Sequence, residues 1–228
     1  MKRILSLLLV LVCFTALLAG CGDTRKTETV YVTIADKSGK VVLAREEIKA
    51  KDLDGDDKVT LFEALKAAHK TCPNGGADGF VAEEGQYGLS MVKLWGEENG
   101  GSFGYYVNEA SAWSLSDEVH AGDRLVAFSY TDTAFFSDTF CYFDNQEATV
   151  KKNEAVTLTL TALMFDMNYN TVPTPVAGAT VTVNGTAIET KTDAEGKITL
   201  TLEKGVNIIS ASSDVMTLVP PIAKITVK

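Results

Sequence analysis

The 228-residue sequence predicts an α+β domain followed by an all-β sandwich. Three observations carry this. Two alternating apolar–polar runs, at 29–34 and 41–48, precede one amphipathic helical pattern at 60–71, and aromatic-rich strands follow it. From residue 155 onward, short alternating runs recur between turns bearing Gly and Asp, with no helical period. Composition also shifts near Glu147: Gly, Asp and aromatics dominate before it, Thr, Val and Ala after it, and aromatics all but vanish beyond Tyr169.

The run at 29–34 (TVYVTI) reads as a half-buried strand, 37–40 as a turn and 41–48 as its hairpin partner. Residues 60–71 read as a helix, because Leu61, Ala64, Leu65 and Ala68 recur on one face. Cys72-Pro73-Asn74-Gly75-Gly76 ends it. Further strands are expected at 90–95, 103–107, 125–130 and 139–143, and a domain boundary at 145–147. Beyond it, strands are expected at 155–165, 179–183, 187–192, 197–202, 207–211 and 223–227. Pro173 and Pro175 make 166–176 a loop.

The N-terminus carries Lys2 and Arg3, an almost wholly apolar run at 4–18, then small residues before Cys21. That is the order of a secretory signal, and the run is too short for a comfortable membrane span of about 20 residues. Leu18-Ala19-Gly20-Cys21 resembles the bacterial lipobox. The resemblance implies lipidation of Cys21, removal of residues 1–20, and an extracytoplasmic protein held on the bacterial cell membrane by its lipid. Residues 21–28 then form a polar tether, 29–146 the first domain and 147–228 the second.

Removing Lys2 and Arg3 from a net charge of −9 leaves −11. That balance argues against nucleic acid and against docking on anionic lipids. It suits cations or neutral ligands. Cys72 and Cys141 remain as an even pair, either bridged or free and buried.

Residues 52–63 read DLDGDDKVTLFE. Calcium takes six to eight oxygens, which a 12-residue loop supplies from positions 1, 3, 5, 7, 9 and 12. Those positions are Asp52, Asp54, Asp56, the Lys58 carbonyl, Thr60 and Glu63. The stretch resembles half of a dockerin or EF-hand loop. It departs at position 6, where Asp57 replaces the usual Gly. Thr60 and Glu63 also match a capping box, which leaves three closely spaced aspartates unexplained.

Between residues 93 and 130 glycines flank a strand heavy in aromatics, including Trp95, Phe103, Tyr105, Tyr106 and Trp113. Tyr105 and Tyr106 must face opposite sides of it, so at most one enters the core of a two-layer fold. Phe103-Gly104-Tyr105-Tyr106-Val107-Asn108, followed by Gly122-Asp123-Arg124-Leu125-Val126, resembles the transcobalamin-like C-terminal (DUF4430-type) domain. The resemblance implies a β-grasp-like fold and one face of a cobalamin-binding cleft, with Tyr105, Tyr106 and Asn108 as matching positions. Trp113 is a further candidate for stacking on a planar ligand. The second domain, through VAGATVTV at 176–183 and TDAEGK at 192–197, resembles Ig-like or prealbumin-like modules and implies a spacer or adhesive role.

His69 and His120 are the only histidines. His69, between Lys66 and Lys70, is expected to be solvated, and neither adjoins a nucleophile motif. No enzyme is expected. Two functions follow: capture of a corrinoid or similar ligand for delivery to a membrane transporter, or adhesion to protein or glycan with the second domain as spacer.

Overall fold

The computed structural model describes residues 24–72 and 75–228, so the expected signal, Cys21 and Pro73-Asn74 lie outside the described residues. The first unit opens with the hairpin β1 (Thr27–Ala35) and β2 (Val41–Lys51), continues into helix α1 (Leu61–Thr71) and a single 3₁₀ turn at Ala77–Gly79, and carries a small three-stranded sheet, β3 (Val81–Gly85), β4 (Gly88–Leu94) and β5 (Glu97–Glu98). It ends with β6 (Phe103–Val107), β7 (Ala110–Ser111) and β8 (Arg124–Ser129). The main sheet runs β2-β1-β8-β6-β7, with β1 and β8 parallel and its other pairs antiparallel.

Period-two alternation explains the packing on this sheet. Val30, Val32 and Ile34 of β1, Leu125 and Ala127 of β8, and Phe103 and Tyr105 of β6 face α1. The helix answers with Leu61, Ala64, Leu65 and Ala68, all fully buried. A buried leucine contributes roughly 1.5–3 kcal/mol. The helix starts where it does because Thr60 and Glu63 cap each other's backbone N–H groups.

The second unit begins at β9 (Cys141–Phe143), followed by β10 (Glu147–Val150), β11 (Ala155–Phe165), β12 (Thr171–Pro175), β13 (Thr180–Val183), β14 (Thr186–Lys191), β15 (Lys197–Thr201), β16 (Gly205–Ser212) and β17 (Ala223–Val227). One sheet runs β10-β17-β16-β13-β14 and the other β12-β11-β15, with β9 also on β11. They share a core that includes Phe143, Leu158, Leu160, Ile209 and Ile225.

Several expectations change. Residues 166–176 are not all loop: Thr171–Pro175 pairs with β11, and the prolines survive because β12 is an edge strand. The run at 139–143 belongs to the second unit, since β9 hydrogen-bonds to β11 and Cys141 and Phe143 enter its core. The unit therefore begins before residue 145. Cys72 and Cys141 are free, Cys72 packed against the first core and Cys141 buried in the second. Burial raises the Cys141 thiol pKa strongly, and that thiol donates to the Val219 carbonyl at 3.2 Å.

The two units meet on the face of the first sheet that α1 leaves uncovered. Ala35, Phe128, Phe140 and Val219 form a third core there, with Tyr106, Val126, Tyr130, Tyr142 and Leu163 against it. Tyr106 stacks on Phe140 with ring centroids 3.8 Å apart and planes 6° from parallel. Arg45–Glu147 at 2.9 Å and Lys224–Glu46 at 3.3 Å bridge the rim.

Candidate functional site: an acidic loop and exposed aromatic tips

The loop after β2 folds around its own carboxylates. Asp52, only 2% exposed, accepts the Gly55 N–H at 2.7 Å through one oxygen and the Asp57 N–H at 3.1 Å through the other. The Gly55 contact, with the Asp57 bond beside it, holds the Asp52 carboxyl below its ordinary pKa despite burial. Asp57 sits at φ +64°, the left-handed conformation for which the motif normally uses Gly and which Asp tolerates. Asp54 accepts from the Asp56 N–H at 3.2 Å, and Asp56 from the Lys58 N–H at 2.9 Å. One Glu63 oxygen accepts the Leu53 N–H, and the other accepts the Thr60 N–H and hydroxyl at 2.8 and 3.1 Å. Val59 is fully buried and pins the loop to the domain.

Carboxylate oxygens of Asp52, Asp54 and Glu63 lie within 4.8 Å of one another. Opposite ligands of calcium lie at most about 4.8 Å apart, twice a bond of about 2.4 Å, so this spacing fits a divalent cation. Each carboxylate oxygen has two lone pairs, so the oxygens of Asp52 and Asp54 and the Glu63 oxygen facing Leu53 keep one free, whereas the Glu63 oxygen facing Thr60 uses both. Of the six expected ligands, these three converge. Asp56 accepts the Lys58 N–H and the Thr60 hydroxyl donates to Glu63, and Asp56 stands outside the group of three carboxylates.

The four expected ligand-binding residues do not line one cleft. Tyr105 turns toward α1 and Tyr106 toward the second unit, and burial raises both hydroxyl pKa values. Both are partly buried because the sheet is covered on two faces, not one. Asn108, at φ +48°, holds a turn: its amide donates to Asp123 at 2.6 Å and accepts the Arg124 N–H at 3.0 Å. Trp113 alone projects outward, 92% exposed, with its backbone N–H fixed by Asp117 at 2.9 Å.

A second exposed aromatic stands on a loop bonded to that of Trp113. Tyr87, 88% exposed, tips the β3–β4 hairpin. The two tips adjoin, since the Leu115 N–H and the Ser114 hydroxyl both donate to the Leu89 carbonyl, at 3.1 and 3.4 Å. The available signal was a lone tyrosine in the turn Gly85-Gln86-Tyr87-Gly88, where a large ring has no core to enter.

His69 is fully buried rather than solvated. Its Nδ1 bonds the Leu65 carbonyl at 2.7 Å and its Nε2 accepts the Trp95 N–H at 3.0 Å, so the ring is held neutral. Burial lowers its pKa below 6.5, against the opposing pull of the Leu65 bond. The unfolded chain therefore binds the proton first as pH falls. Stability is complete above about pH 6.5 and declines below it, by up to about 1.4 kcal/mol per pH unit until the folded ring also titrates. Thermal melts at pH 7.5 to 5 should show this decline, with a shallower slope in His69→Gln; equal slopes would assign it to other groups. His120 is exposed in a turn, with its backbone N–H held by Asp123 at 2.8 Å.

No family model and no curated protein matches the chain. Among solved structures, the fibronectin(III)-like modules of Clostridium thermocellum CbhA share 19% identity over 39% of this chain and 95% of theirs, at a TM-score of 0.28. The N-terminal four Ig domains of Dscam1 isoform 6.9 share 12% over 64% of this chain and 32% of theirs, at 0.27. The Bacteroides ovatus mixed-linkage glucan utilization protein SGBP-B, in complex with a heptasaccharide, shares 13% over 65% and 36%, at 0.24. These likenesses to immunoglobulin-like and fibronectin-III-like domains are weak and generic, and scores this low assign neither fold family nor ligand. Among the described residues, no helix is long and apolar enough to cross a membrane.

Proposed function

We propose that this is a non-catalytic, lipid-tethered surface protein that recognises a glycan or protein through the aromatic tips Tyr87 and Trp113. In this reading the second unit is a rigid spacer, and the loop at 52–63 is braced by calcium. The observation that carries it is the pair of nearly fully exposed rings on adjoining, backbone-locked loops. A free aromatic face costs exposure in the unbound protein and gains stacking area against a sugar ring or apolar side chain. The order β2-β1-β8-β6, with β1 parallel to β8 and a helix across one face, supports a β-grasp-like assignment for the first unit.

The corrinoid reading has less support, because Tyr105, Tyr106 and Asn108 are committed to packing and a turn. Delivery to a membrane transporter falls with it. Tyr87→Ala and Trp113→Ala should each abolish capture on a glycan or envelope-protein array while moving the melting temperature by less than about 2 °C, as exposed substitutions do. Retention of cobalamin in equilibrium dialysis at about 1 μM, a value a carrier must reach, would overturn the recognition reading in favour of capture.

A further inference from the structure

The net negative charge conceals a segregated surface. Along the open edge of the first sheet, β2 and α1 frame a groove of about 560 Å³. Arg25, Lys49, Lys51, Lys66 and Lys70 line it, and Glu63 is its one acid. Glu63 is 5% exposed, with both oxygens engaged by Leu53 and Thr60. Lys49, Lys66 and Lys70 are exposed and form no ion pair among the described residues. Lys66 and Lys70 stand one turn apart on α1, a like-charge spacing that works against the helix. The exposed acids beside the groove along the chain are Glu46 and Glu47 on β2 and Asp54, Asp56 and Asp57 in the loop at 52–63. Leu53, an apolar side chain 44% exposed, completes the lining.

The described chain begins at the same place. Arg25 donates to the Leu53 carbonyl at 3.3 Å, and the Lys26 carbonyl accepts the Asp52 N–H at 3.0 Å. Cys21 precedes Thr24 by three residues, so even fully extended chain leaves it within about 11 Å of that point. A lipid there puts this groove beside the bilayer.

We infer that the groove seats anionic phospholipid headgroups of the membrane to which the chain is tethered, turning α1 and the β2 edge toward the bilayer. The inference rests on the tether at Cys21. It also revises the expectation from net charge, which treats charge as evenly spread. The remaining acids are screened beyond about 8 Å at physiological ionic strength. Each basic residue near an anionic surface strengthens binding about fivefold.

The test uses the chain from residue 22 onward, which carries both cores and every described strand but no lipid. It is sedimented with vesicles of phosphatidylcholine alone and with about 30% phosphatidylglycerol. Sedimentation is expected only with the anionic vesicles, and its loss at about 0.5 M salt. Lys66→Glu with Lys70→Glu should weaken it at least about 25-fold, two steps of fivefold, with the melting temperature preserved. Equal binding to neutral vesicles, no binding to anionic ones, or an unaffected double variant would overturn the inference. So would full displacement by about 10 mM inorganic phosphate, which would assign the groove to free phosphate rather than lipid. The tether is read separately, by the mass of Cys21 in the full chain recovered from membranes, so a failed anchor and a failed groove give different results.

Discussion

Phe140→Ala should destabilise the protein by about 3–5 kcal/mol, the cost of emptying a large aromatic site that cannot collapse. Phe140 is 5% exposed and stacks on Tyr106 between the two units. Its carbonyl also accepts the Leu163 N–H at 2.8 Å, which ties it to the end of β11. Removing the ring takes away the surface that makes the units one body. Chemical denaturation should show the wild-type transition splitting in two, with the first unit retaining the signal of Trp95. Gly104→Ala approaches the same joint from the other side. A Cβ on Gly104 would sit 2.2 Å from the Phe128 ring, which is 2% exposed and cannot swing away. About 1–3 kcal/mol of overpacking strain is expected. A loss below about 1 kcal/mol for Phe140→Ala, with a single unchanged transition, would show that the units hold together by their polar rim instead.

Calcium should raise stability by about 2.7 kcal/mol at one hundred times its dissociation constant, which for an extracellular-type site near 10⁻⁴ M means about 10 mM. For a chain this size, that is roughly 5–10 °C in melting temperature. Asp54→Ala isolates the effect. Asp54 is exposed and accepts the Asp56 N–H, a surface contact of small worth, so in chelator the variant should melt within about 2 °C of wild type and in calcium it should gain nothing. Glu63→Ala should instead lose stability in both conditions, by about 0.5–2 kcal/mol in chelator, because the cap of α1 goes with it. An undiminished calcium response in Asp54→Ala would remove the cation from the loop.

The elements that sequence patterning captured are those whose signal lies within their own span. The helix, β1, β6, β11 and β17 carry clean periods, the helix carries its own cap, and residues 52–63 space their acids so that Asp52, Asp54 and Glu63 converge. What escaped depended on distant contacts. His69 looks solvated between two lysines, yet its ring is drawn inward by Trp95, 26 positions away. Tyr105 and Tyr106 were read on a two-layer fold, whereas the second unit supplies a third layer through Phe140 and Val219. The basic groove was invisible for a similar reason: Lys49 and Lys51 come from a strand, and Lys66 and Lys70 from a helix. Their charges add only once that helix lies along that strand.

The position of β17 has a consequence for the order of folding. It is the last strand in the chain, yet it lies between β10 and β16, and its partnership with β10 is parallel. The second unit thus cannot close until residues 223–227 have emerged and threaded into place, a long-range pairing that is slow to form. The first unit has all its strands by Ser129, so during synthesis it can be folded while its partner is still open. Through that interval Tyr106 and Phe128 face water on an uncovered sheet. That makes the half-finished molecule, rather than the mature one, the species most in need of a chaperone's protection.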